Sequence, residues 1–381
     1  MKCVLADIAD VTMGQSPKSE YYNSEKNGMP FLQGNRTFGK KYPTFDTYTT
    51  FITKTAKSGD VIMSVRAPVG DVNITPIDMC LGRGVCGIRM KNENQEFLFY
   101  LLKYYMPRLV NKQSGTVFGS VNKNDINSLE IDIQEDSTIQ RKIARYLSMI
   151  DEKIELNEKI NKNLEQQAQA YFDELFVVNA NPNWSECTLS DIGTVVAGGT
   201  PSKSKGEYYA DHGIAWITPK DLSVDKSKFI SHGENDISEL GLSKSSAAKM
   251  PAGTVLFSSR APIGYIAIAQ NEVTTNQGFK SVIPDENIGT AYVYFLLKNL
   301  LPTIEGMASG STFKEISGAG MKSVPTVMPD TDTIQLFNTF CEPIFKEQEI
   351  LEAENKHLSS LRDSLLPKLM SGEIDVSQLD L

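Results

Sequence analysis

The sequence predicts an α+β protein. It should contain two tandem α/β domains related by a pseudo-twofold axis, separated by two long antiparallel helices that form a coiled coil. Two observations predict this class. A stretch of the first half returns in the second half, and each half ends in a long heptad pattern of apolar residues. A chain of 381 residues has room for two or three domains.

The repeat is clearest in VIMSVRAPVG, Val61–Gly70, which returns as VLFSSRAPIG, Val255–Gly264, with six of ten residues identical. Leu5–Ile8 matches Leu189–Ile192 at an offset of 184 residues, whereas the opening stretch matches at 194. Because the offset rises once, we expect an insertion of about ten residues within Pro219–Ala252. The remaining matches stay in step, which indicates tandem duplication of one ancestral unit.

Each unit begins with short buried strands and continues into an apolar helix. The strands are expected at Val61–Met63, Val72–Ile74, Val85–Met90, Val255–Phe257, Tyr265–Ala269 and Phe279–Ile283. The apolar helices are expected at Glu96–Tyr105 and Ala291–Leu300. Each should end near a proline, Pro107 or Pro302, because proline disfavours helical geometry in the residue before it.

The second part of each unit is predicted to be one long helix. Over Ile139–Leu175 apolar residues recur at alternating spacings of four and three, a heptad seam in which Asn157 and Asn161 stand at the polar positions. Ile344–Leu365 repeats the pattern with Asn355 in step. Simple core packing is the alternative, but the length and the twofold occurrence favour two helices that pair with each other, antiparallel. The predicted domains are residues 1–137 and 179–332, with helical segments at 138–178 and 333–381.

Charge and composition limit the function only partly. The net charge of −9 by itself argues against nucleic acid, yet residues 332–381 hold four basic and ten acidic residues and so carry most of it. Residues 1–137, with sixteen basic and fifteen acidic residues, are near neutral and leave room for a local basic face. Five scattered cysteines suggest reduced core thiols, and three distant histidines argue against zinc. No stretch resembles a signal peptide or a membrane helix.

Three stretches resemble catalytic or cofactor-binding motifs, but none matches its motif fully or lies in the right context. GAGMKS, Gly318–Ser323, lacks the glycine that a phosphate-binding loop needs before its lysine. NPNW, Asn181–Trp184, departs at its third residue from the motif of amino-methyltransferases and is better explained as a linker. Asp151–Lys153 has nuclease-like residue types, but its place in the long helix favours a solvated charged face.

Binding remains. Arg, Lys, Asn, Gln, Ser and Thr read base edges and contact phosphates, and the predicted loops are rich in them. Taken singly each such loop is an ordinary polar turn, but they recur at matching places in both units. The candidate DNA-binding residues are Gln15, Lys18, Gln33, Asn35, Arg36, Arg66, Arg83, Lys112, Ser114, Lys203, Lys220, Arg260, Gln277 and Lys314.

These residues lie in a pattern that resembles a known family. Thr188–Thr218, TLSDIGTVVAGGTPSKSKGEYYADHGIAWIT, looks like the opening of a target recognition domain from type I restriction–modification specificity subunits. The SRAPxG turn followed by NQGF at Asn276–Phe279 is similar too, and SLLPKLMSGEI, Ser364–Ile374, resembles the close of their second spacer helix. The first unit departs from the pattern, because LGRG at Leu81–Gly84 replaces NQGF and no tryptophan stands near its start.

The resemblance implies a non-catalytic, cytoplasmic subunit. Each recognition domain would read one half of a split double-stranded DNA target, and the spacer helices would set the unread gap. Two methyltransferase subunits would dock on the chain and restriction subunits would join them. S-adenosylmethionine, ATP and Mg²⁺ would bind to those partners. An assembly scaffold whose polar loops bind protein instead of DNA is the alternative.

The duplication helps to separate residues that maintain the fold from residues that read bases. Two units that read different half-sites should differ at the positions that contact bases. Arg66 and Arg260 are identical, so we expect them to close the strand-turn by hydrogen bonds to backbone carbonyls, or to contact phosphate. Arg83 against Gln277 differs, and Arg favours guanine whereas Gln favours adenine. Gln33 against Thr218 differs as well. The insertion within Pro219–Ala252 is expected to form a DNA-facing lobe.

Overall fold

The computed structural model describes residues 1–111, 120–260, 262–310 and 314–377, and it confirms the α+β class. Contacts divide the chain into two compact units, Met1–Glu155 with Lys356–Leu381, and Leu156–Asn355. Each unit therefore contains one strand-rich segment and a part of both long helices. The predicted bounds of the recognition domains and helical segments stay a prediction.

The described residues form short helices, two medium helices and two long ones. The helices are α1 Leu5–Ile8, α2 Gln95–Asn111, α3 Lys123–Asn127, α4 Ser137–Asp173, α5 Leu189–Ile192, α6 Pro219–Val224, α7 Glu239–Ser243, α8 Thr290–Met307, α9 Gly318–Lys322 and α10 Thr331–Ser371. A π-helical segment, Glu174–Val178, extends α4, and 3-10 turns cover Ser19–Tyr21 and Gly206–Tyr208.

The strands are short and fall into matching sets in the two units. Those of the first unit are β1 Lys2–Val4, β2 Ala9–Met13, β3 Tyr22–Asn23, β4 Met29–Leu32, β5 Tyr48–Thr49, β6 Thr55–Ala56, β7 Val61–Ser64, β8 Val72–Ile74, β9 Met79–Leu81, β10 Val85–Met90 and β11 Glu130–Asp132. Those of the second unit are β12 Ser185–Thr188, β13 Gly193–Ala197, β14 Tyr209–Ala210, β15 Ile214–Ile217, β16 Phe229–Ile230, β17 Asn235–Ile237, β18 Val255–Ser259, β19 Ile263–Ala269, β20 Thr274–Thr275, β21 Lys280–Pro284 and β22 Pro325–Met328.

The sheet order repeats between the units. In the first unit the sheets run β2-β10-β7-β8 and β3-β5-β4-β9-β6, with β1 paired to β11. In the second they run β13-β21-β18-β19-β16 and β14-β17-β15-β20, with β12 paired to β22. The extra strand β16 comes from the inserted region and pairs in parallel with β19.

Each core needs both long helices. In the first unit the buried residues of α2 and the sheet pack with Leu147 of α4 and with Leu369 and Met370 of α10. In the second unit the corresponding cluster includes Phe172 of α4 and Phe337 of α10. Burial of these side chains, at about 1.5–3 kcal/mol each, ties the helices to the strand-rich segments.

The apolar helices run past their prolines, so the predicted ends near Pro107 and Pro302 are wrong. Both prolines lie inside the helix, in α2 and α8. A proline in a helix removes one hydrogen bond and crowds the preceding turn. In α8 the packing continues beyond it, because Ile304 is fully buried in the core of the second unit. The long helix α10 likewise contains Pro343 and Pro367.

Within the second unit the polar seam residues pair as the heptad pattern predicts. Asn157 is fully buried, and its Nδ2 donates to Asn355 Oδ1 over 2.9 Å and to Glu354 Oε2 over 2.6 Å. Asn161 Nδ2 donates to Glu352 Oε1 over 3.3 Å. The partner's number falls as the number along α4 rises, so the two helices are antiparallel. Buried amides of this kind favour one register over its neighbours.

A buried ammonium group fastens the inserted region to the helices of the second unit. Lys228, which immediately precedes β16, forms an ion pair with Glu165 of α4, and its Nζ lies 4.1 Å from the Phe345 ring centroid. Glu165 also accepts Lys298 Nζ over 2.6 Å. Burial alone would raise the pKa of Glu165, but the two ammonium groups outweigh it and hold that pKa below its usual value.

The first unit has an anchor of its own, at a place where the sequence suggested a solvated face. Asp151 of α4 accepts the Tyr100 hydroxyl over 2.7 Å and Arg362 Nη1 over 2.8 Å. The side chains of Asp151 and Arg362 are 14% and 22% exposed. The expectation of a solvated charged face is therefore wrong for Asp151, because Tyr100 and Arg362 cover it.

Replacing Glu165 with Gln is expected to lower the free energy of unfolding of the second unit by about 3–5 kcal/mol, because it leaves the Lys228 ammonium buried without its carboxylate. The measurement is urea unfolding followed by tryptophan fluorescence. Both tryptophans, Trp184 and Trp216, lie in the second unit, so the signal reports on it directly.

The matched control is Glu239→Gln, since the exposed pair of Glu239 with Lys249, at 3.5 Å, is worth at most about 1 kcal/mol. Because the folded-state pKa of Glu165 is lowered, wild type keeps this stabilisation above the ordinary carboxyl pKa of 4.5 and loses it as the pH falls through the folded-state value. The gap between wild type and Glu165→Gln should therefore narrow in acid. Equal losses in the two variants would contradict the prediction.

Candidate nucleic-acid interface

In each unit, polar turns lie at one end of the strands of the sheet that contains β10 or β21. This end of the sheet is called the interface edge. In the first unit β2 ends where β10 begins, with Met13 opposite Cys86, and β7 ends beside the same residues, with Ser64 opposite Val85. The turn after β9 joins this edge, because Gly84 N donates to Gln33 O over 3.0 Å. The loops that carry Gln15, Gln33, Arg66 and Arg83 therefore meet at one place.

A serine hydroxyl closes the repeated strand-turn in both units. Ser64 Oγ donates to the Pro68 carbonyl oxygen over 2.8 Å and accepts the Asp71 N–H over 3.0 Å. Ser258 forms the same two hydrogen bonds at the matched positions, both 2.8 Å long. This shared residue therefore makes the same two hydrogen bonds in both turns.

The arginines of the repeat do not have the expected closing role. Arg66 is exposed, and Arg260 is half-buried with its guanidinium 3.5 Å from a Glu315 carboxylate oxygen. The short serine side chain reaches the turn carbonyl, whereas the Arg66 guanidinium extends toward water and that of Arg260 toward Glu315. Contact of Arg66 and Arg260 with phosphate stays a prediction.

The first-unit candidates are mostly exposed. Gln15, Lys18, Gln33, Arg36, Arg66 and Arg83 are exposed, and Asn35 is half-buried. Ser16 connects two of the loops, because its hydroxyl donates to Gln33 Oε1 over 2.8 Å and accepts the Arg83 N–H over 3.0 Å. This network fixes the amide plane of Gln33, whose Nε2 remains a donor at the surface.

Some first-unit candidates already have partners. Arg36 Nη2 donates to Asp46 over 2.7 Å, and this hydrogen bond lowers the pKa of Asp46. Asn35 Nδ2 donates to Asp71 over 2.6 Å. Exposed ion pairs are weak, at about 0–1 kcal/mol, so a phosphate group can replace the carboxylate beside Arg36 at small cost.

The second unit presents a different set of side chains on the same frame. Gln277 is exposed, and its Oε1 accepts the hydroxyl of Thr200, the residue matched to Ser16. Thr218, matched to Gln33, instead stands at the N-cap position of α6, where its hydroxyl donates to the Asp221 carboxylate over 2.6 Å. Thr218 is thus committed to the fold, while Gln277 keeps an exposed amide.

The other second-unit candidates, Lys203, Lys220 and Lys314, are exposed. Lys220 Nζ lies 2.6 Å from Glu234, and that hydrogen bond raises the pKa of Lys220. Lys112 and Ser114 of the first unit lie outside the described residues.

Sequence reasoning missed two groups at this edge. One is the hydroxyl pair Ser16 and Thr200, whose matched place between identical Gly and Pro residues was an available signal. The other is Lys280, matched to Cys86, whose Nζ lies 3.3 Å from the Gln277 carbonyl oxygen and 3.8 Å from Glu315. Burial lowers the pKa of Lys280. Nothing in its sequence context marked it as part of the face.

Other kinds of site were also sought. Across the described ranges, no group of three or more His, Cys, Asp and Glu side chains is placed to hold a metal ion. None of the helices in that part of the chain combines the length and the apolar character needed to cross a bilayer. Cys80, Cys86 and Cys341 are buried and all five cysteines are free, as the scattered spacing suggested.

Comparison with known proteins agrees with this geometry. A family model, the type I restriction modification DNA specificity domain, matches residues 1–166 and 181–358. The specificity subunit of the type I restriction enzyme MjaIX from Methanocaldococcus jannaschii is 37% identical over 190 residues, which cover 48% of this chain and 44% of that protein. The chain thus spans less than half the length of that relative.

Two further proteins match over most of their length. The specificity subunit of the type I restriction enzyme HindI from Haemophilus influenzae is 26% identical, over 84% of this chain and 88% of its own. The crystal structure of a type I restriction–modification S subunit from M. genitalium has the same fold, with a TM-score of 0.66 at 18% identity, over 97% of this chain and 96% of that one. The chain belongs to the type I restriction modification DNA specificity family.

Proposed function

We propose that this chain is the non-catalytic DNA-specificity subunit of a type I restriction–modification complex, in which each unit reads one half of a bipartite target. The observation that carries the proposal is the combination of family membership with a duplicated frame. Ser64 and Ser258 shape the same turn, yet Arg83 and Gln277 stand exposed at matched positions beside it. One frame with two different exposed side chains is what two different half-sites require.

The side chains suit recognition in a DNA groove. Arg83 offers a guanidinium fork, which matches the O6 and N7 acceptors of guanine. Gln277 offers an amide, which matches the N6 and N7 groups of adenine. Arg66 and Lys18 provide exposed positive charge near the first of these for phosphate contacts.

The helices are proposed to set the gap between the half-sites and to dock two methyltransferase subunits, which restriction subunits join. Apolar side chains on the helices support a protein partner. In the second unit those that remain exposed are Leu156, Ile160, Leu336, Phe340 and Ile350. The first two and the next two are each four residues apart, so each pair lies on one face of its helix. Exposed apolar groups on a helix face favour protein contact.

Catalysis is proposed to lie in the partners. S-adenosylmethionine, ATP and Mg²⁺ would bind to the methyltransferase and restriction subunits, and the assembly would act on DNA in the cytoplasm. Membership of a specificity-domain family supports this division.

The central test is an exchange of residues 179–331 for the matching segment of another family member, with α4 and residues 332–381 unchanged. In complex with methyltransferase subunits, the chimera is expected to change one half-site and keep the other, as read by methylome sequencing. Exchange of residues 1–137 is the reciprocal control. Complexes that assemble but show no salt-dependent binding to DNA would identify the chain as an assembly scaffold instead.

Arg83→Ala is expected to relax one position of the first half-site by about 1–3 kcal/mol, the worth of a bidentate contact to a base. Arg83→Lys keeps the charge but loses the fork, so it should lose the same preference while retaining the salt dependence of binding. Lys57→Ala, at the opposite end of the sheet beside Asp78, is the control. Unchanged preference at every base in Arg83→Ala would refute the assignment.

The gap should follow the length of the helices. Four residues inserted after Glu155 and four after Asn355 add about one turn, or 6 Å, to each helix and leave the contacts inside each unit intact. With about 3.4 Å per base pair, the gap is expected to widen by one or two base pairs in the methylome. Insertion in α4 alone is the comparison, because it displaces one helix against the other. A site map with the original spacing for the double insertion would rule out this role.

A further inference from the structure

An exposed apolar pair stands at a loop of the first unit that sequence reasoning did not select. The loop, called the first tip, comprises residues 50–53 between β5 and β6. Its side chains Phe51 and Ile52 are 52% and 51% exposed. Single exposed apolar residues are common on protein surfaces and need no explanation, so the argument depends on how this pair is held and where it lies.

The first tip is fixed by hydrogen bonds. The Thr49 hydroxyl accepts the Phe51 N–H over 3.2 Å and donates to Phe51 O over 3.0 Å. Thr50 N donates to Tyr21 O over 3.2 Å, and the ring of Phe51 stacks on that of Tyr21 with centroids 5.2 Å apart. The pair is therefore presented by an ordered turn, and one face of the Phe51 ring is already covered.

The same tip is continuous with the candidate interface. The Thr53 hydroxyl donates to Gln15 O, and Leu81 N donates to Lys54 O over 2.7 Å. Leu81 O in turn accepts the Gln15 N–H over 2.9 Å. The apolar pair thus borders the edge from which Gln15 and Arg83 extend.

The second unit carries a different segment at the matched place. Tyr22 and Tyr209 are equivalent, because each donates its hydroxyl to the carbonyl of a matched proline. Tyr22 lies opposite Thr49 in the β3–β5 pair, as Tyr209 lies opposite Ile237 in the β14–β17 pair. The segment after Ile237, residues 238–247, is called the second tip, and it contains α7.

Both tips rest on the same turn of their unit. Ser238 N donates to Tyr208 O over 3.0 Å, as Thr50 does to Tyr21. Gly199, matched to Gln15, packs so closely on the second tip that an added Cβ would lie 2.2 Å from Ala247 N. The chemistry differs, since Glu239 and Leu240 take the positions of Phe51 and Ile52.

We propose that Phe51 and Ile52 contact apolar surface of the DNA bases and supply part of the sequence preference of the first unit; this rests on the proposed function. Double-stranded DNA offers two such surfaces, the methyl group of thymine at the groove edge and a base face where a step is unstacked. The pair lies beside candidate base-reading residues, is held by hydrogen bonds and a ring contact, and differs from the residues at the matched place in the other unit.

The test is the double variant Phe51→Ala, Ile52→Ala in the assembled complex with methyltransferase subunits. Methylome sequencing is expected to show lost preference at one or two positions of the first half-site, with the second half-site unchanged. Ile77→Ala is the matched control, because Ile77 is 44% exposed but lies before β9, at the end away from the interface edge. Unchanged preference at every base in the double variant would overturn the proposal.

Measurements on the wild-type protein give an independent test. Replacing each thymine of the first half-site by deoxyuridine should weaken binding about fourfold where a methyl group is buried, and less in the double variant. Increased 2-aminopurine fluorescence on binding would assign the contact to an unstacked base face. No response in either measurement would overturn the proposal. Failure of the proposed function is distinguishable, because the wild-type complex would then have no preferred site.

Discussion

Neither unit has a complete core without helices that lie far apart in the sequence. The first unit packs Leu147 of α4 together with Leu369 and Met370 of α10, and the second packs Phe172 with Phe337. Because α4 and α10 both pass from one unit to the other, each helix must satisfy two cores. In the second unit the register seen between Asn157 and Asn355 is therefore a condition for Phe172 and Phe337 to meet in one core.

The repeated frame and the variable face follow from this constraint. Ser64 and Ser258 form the same hydrogen bonds in the two turns, and the glycines at positions 70 and 264 both have φ near +95°. Matched backbone carbonyl groups accept hydrogen bonds from different donors in the two units. Gln15 O accepts the Thr53 hydroxyl, whereas Gly199 O accepts the indole N–H of Trp216. The surface changes between units while its hydrogen bonds remain satisfied.

The sequence predicted the fold class, the duplication and the polar seam, because periodicity and self-similarity are local signals. It placed the helix ends at Pro107 and Pro302 wrongly, and at Pro302 the packing of Ile304 outweighs the lost hydrogen bond. It also assigned the hydrogen bonds that close the strand-turn to arginine. Ser64 and Arg66 are both identical to their counterparts in the second unit, so identity alone does not show which of them closes the turn. The place of Phe51 beside the candidate interface could not be predicted from the sequence, because only strand pairing shows which loop positions of the two units are equivalent.

The inserted region now has two faces with different chemistry. Toward the helices it buries Lys228 against Glu165, and the backbone N–H groups of Lys228 and Phe229 donate to Glu352 of α10. At its other end it forms the second tip against Gly199. The expectation that this region faces DNA stays a prediction. One inserted segment thus contacts both the helices of the second unit and the turn that carries Gly199, so its length is constrained at both places.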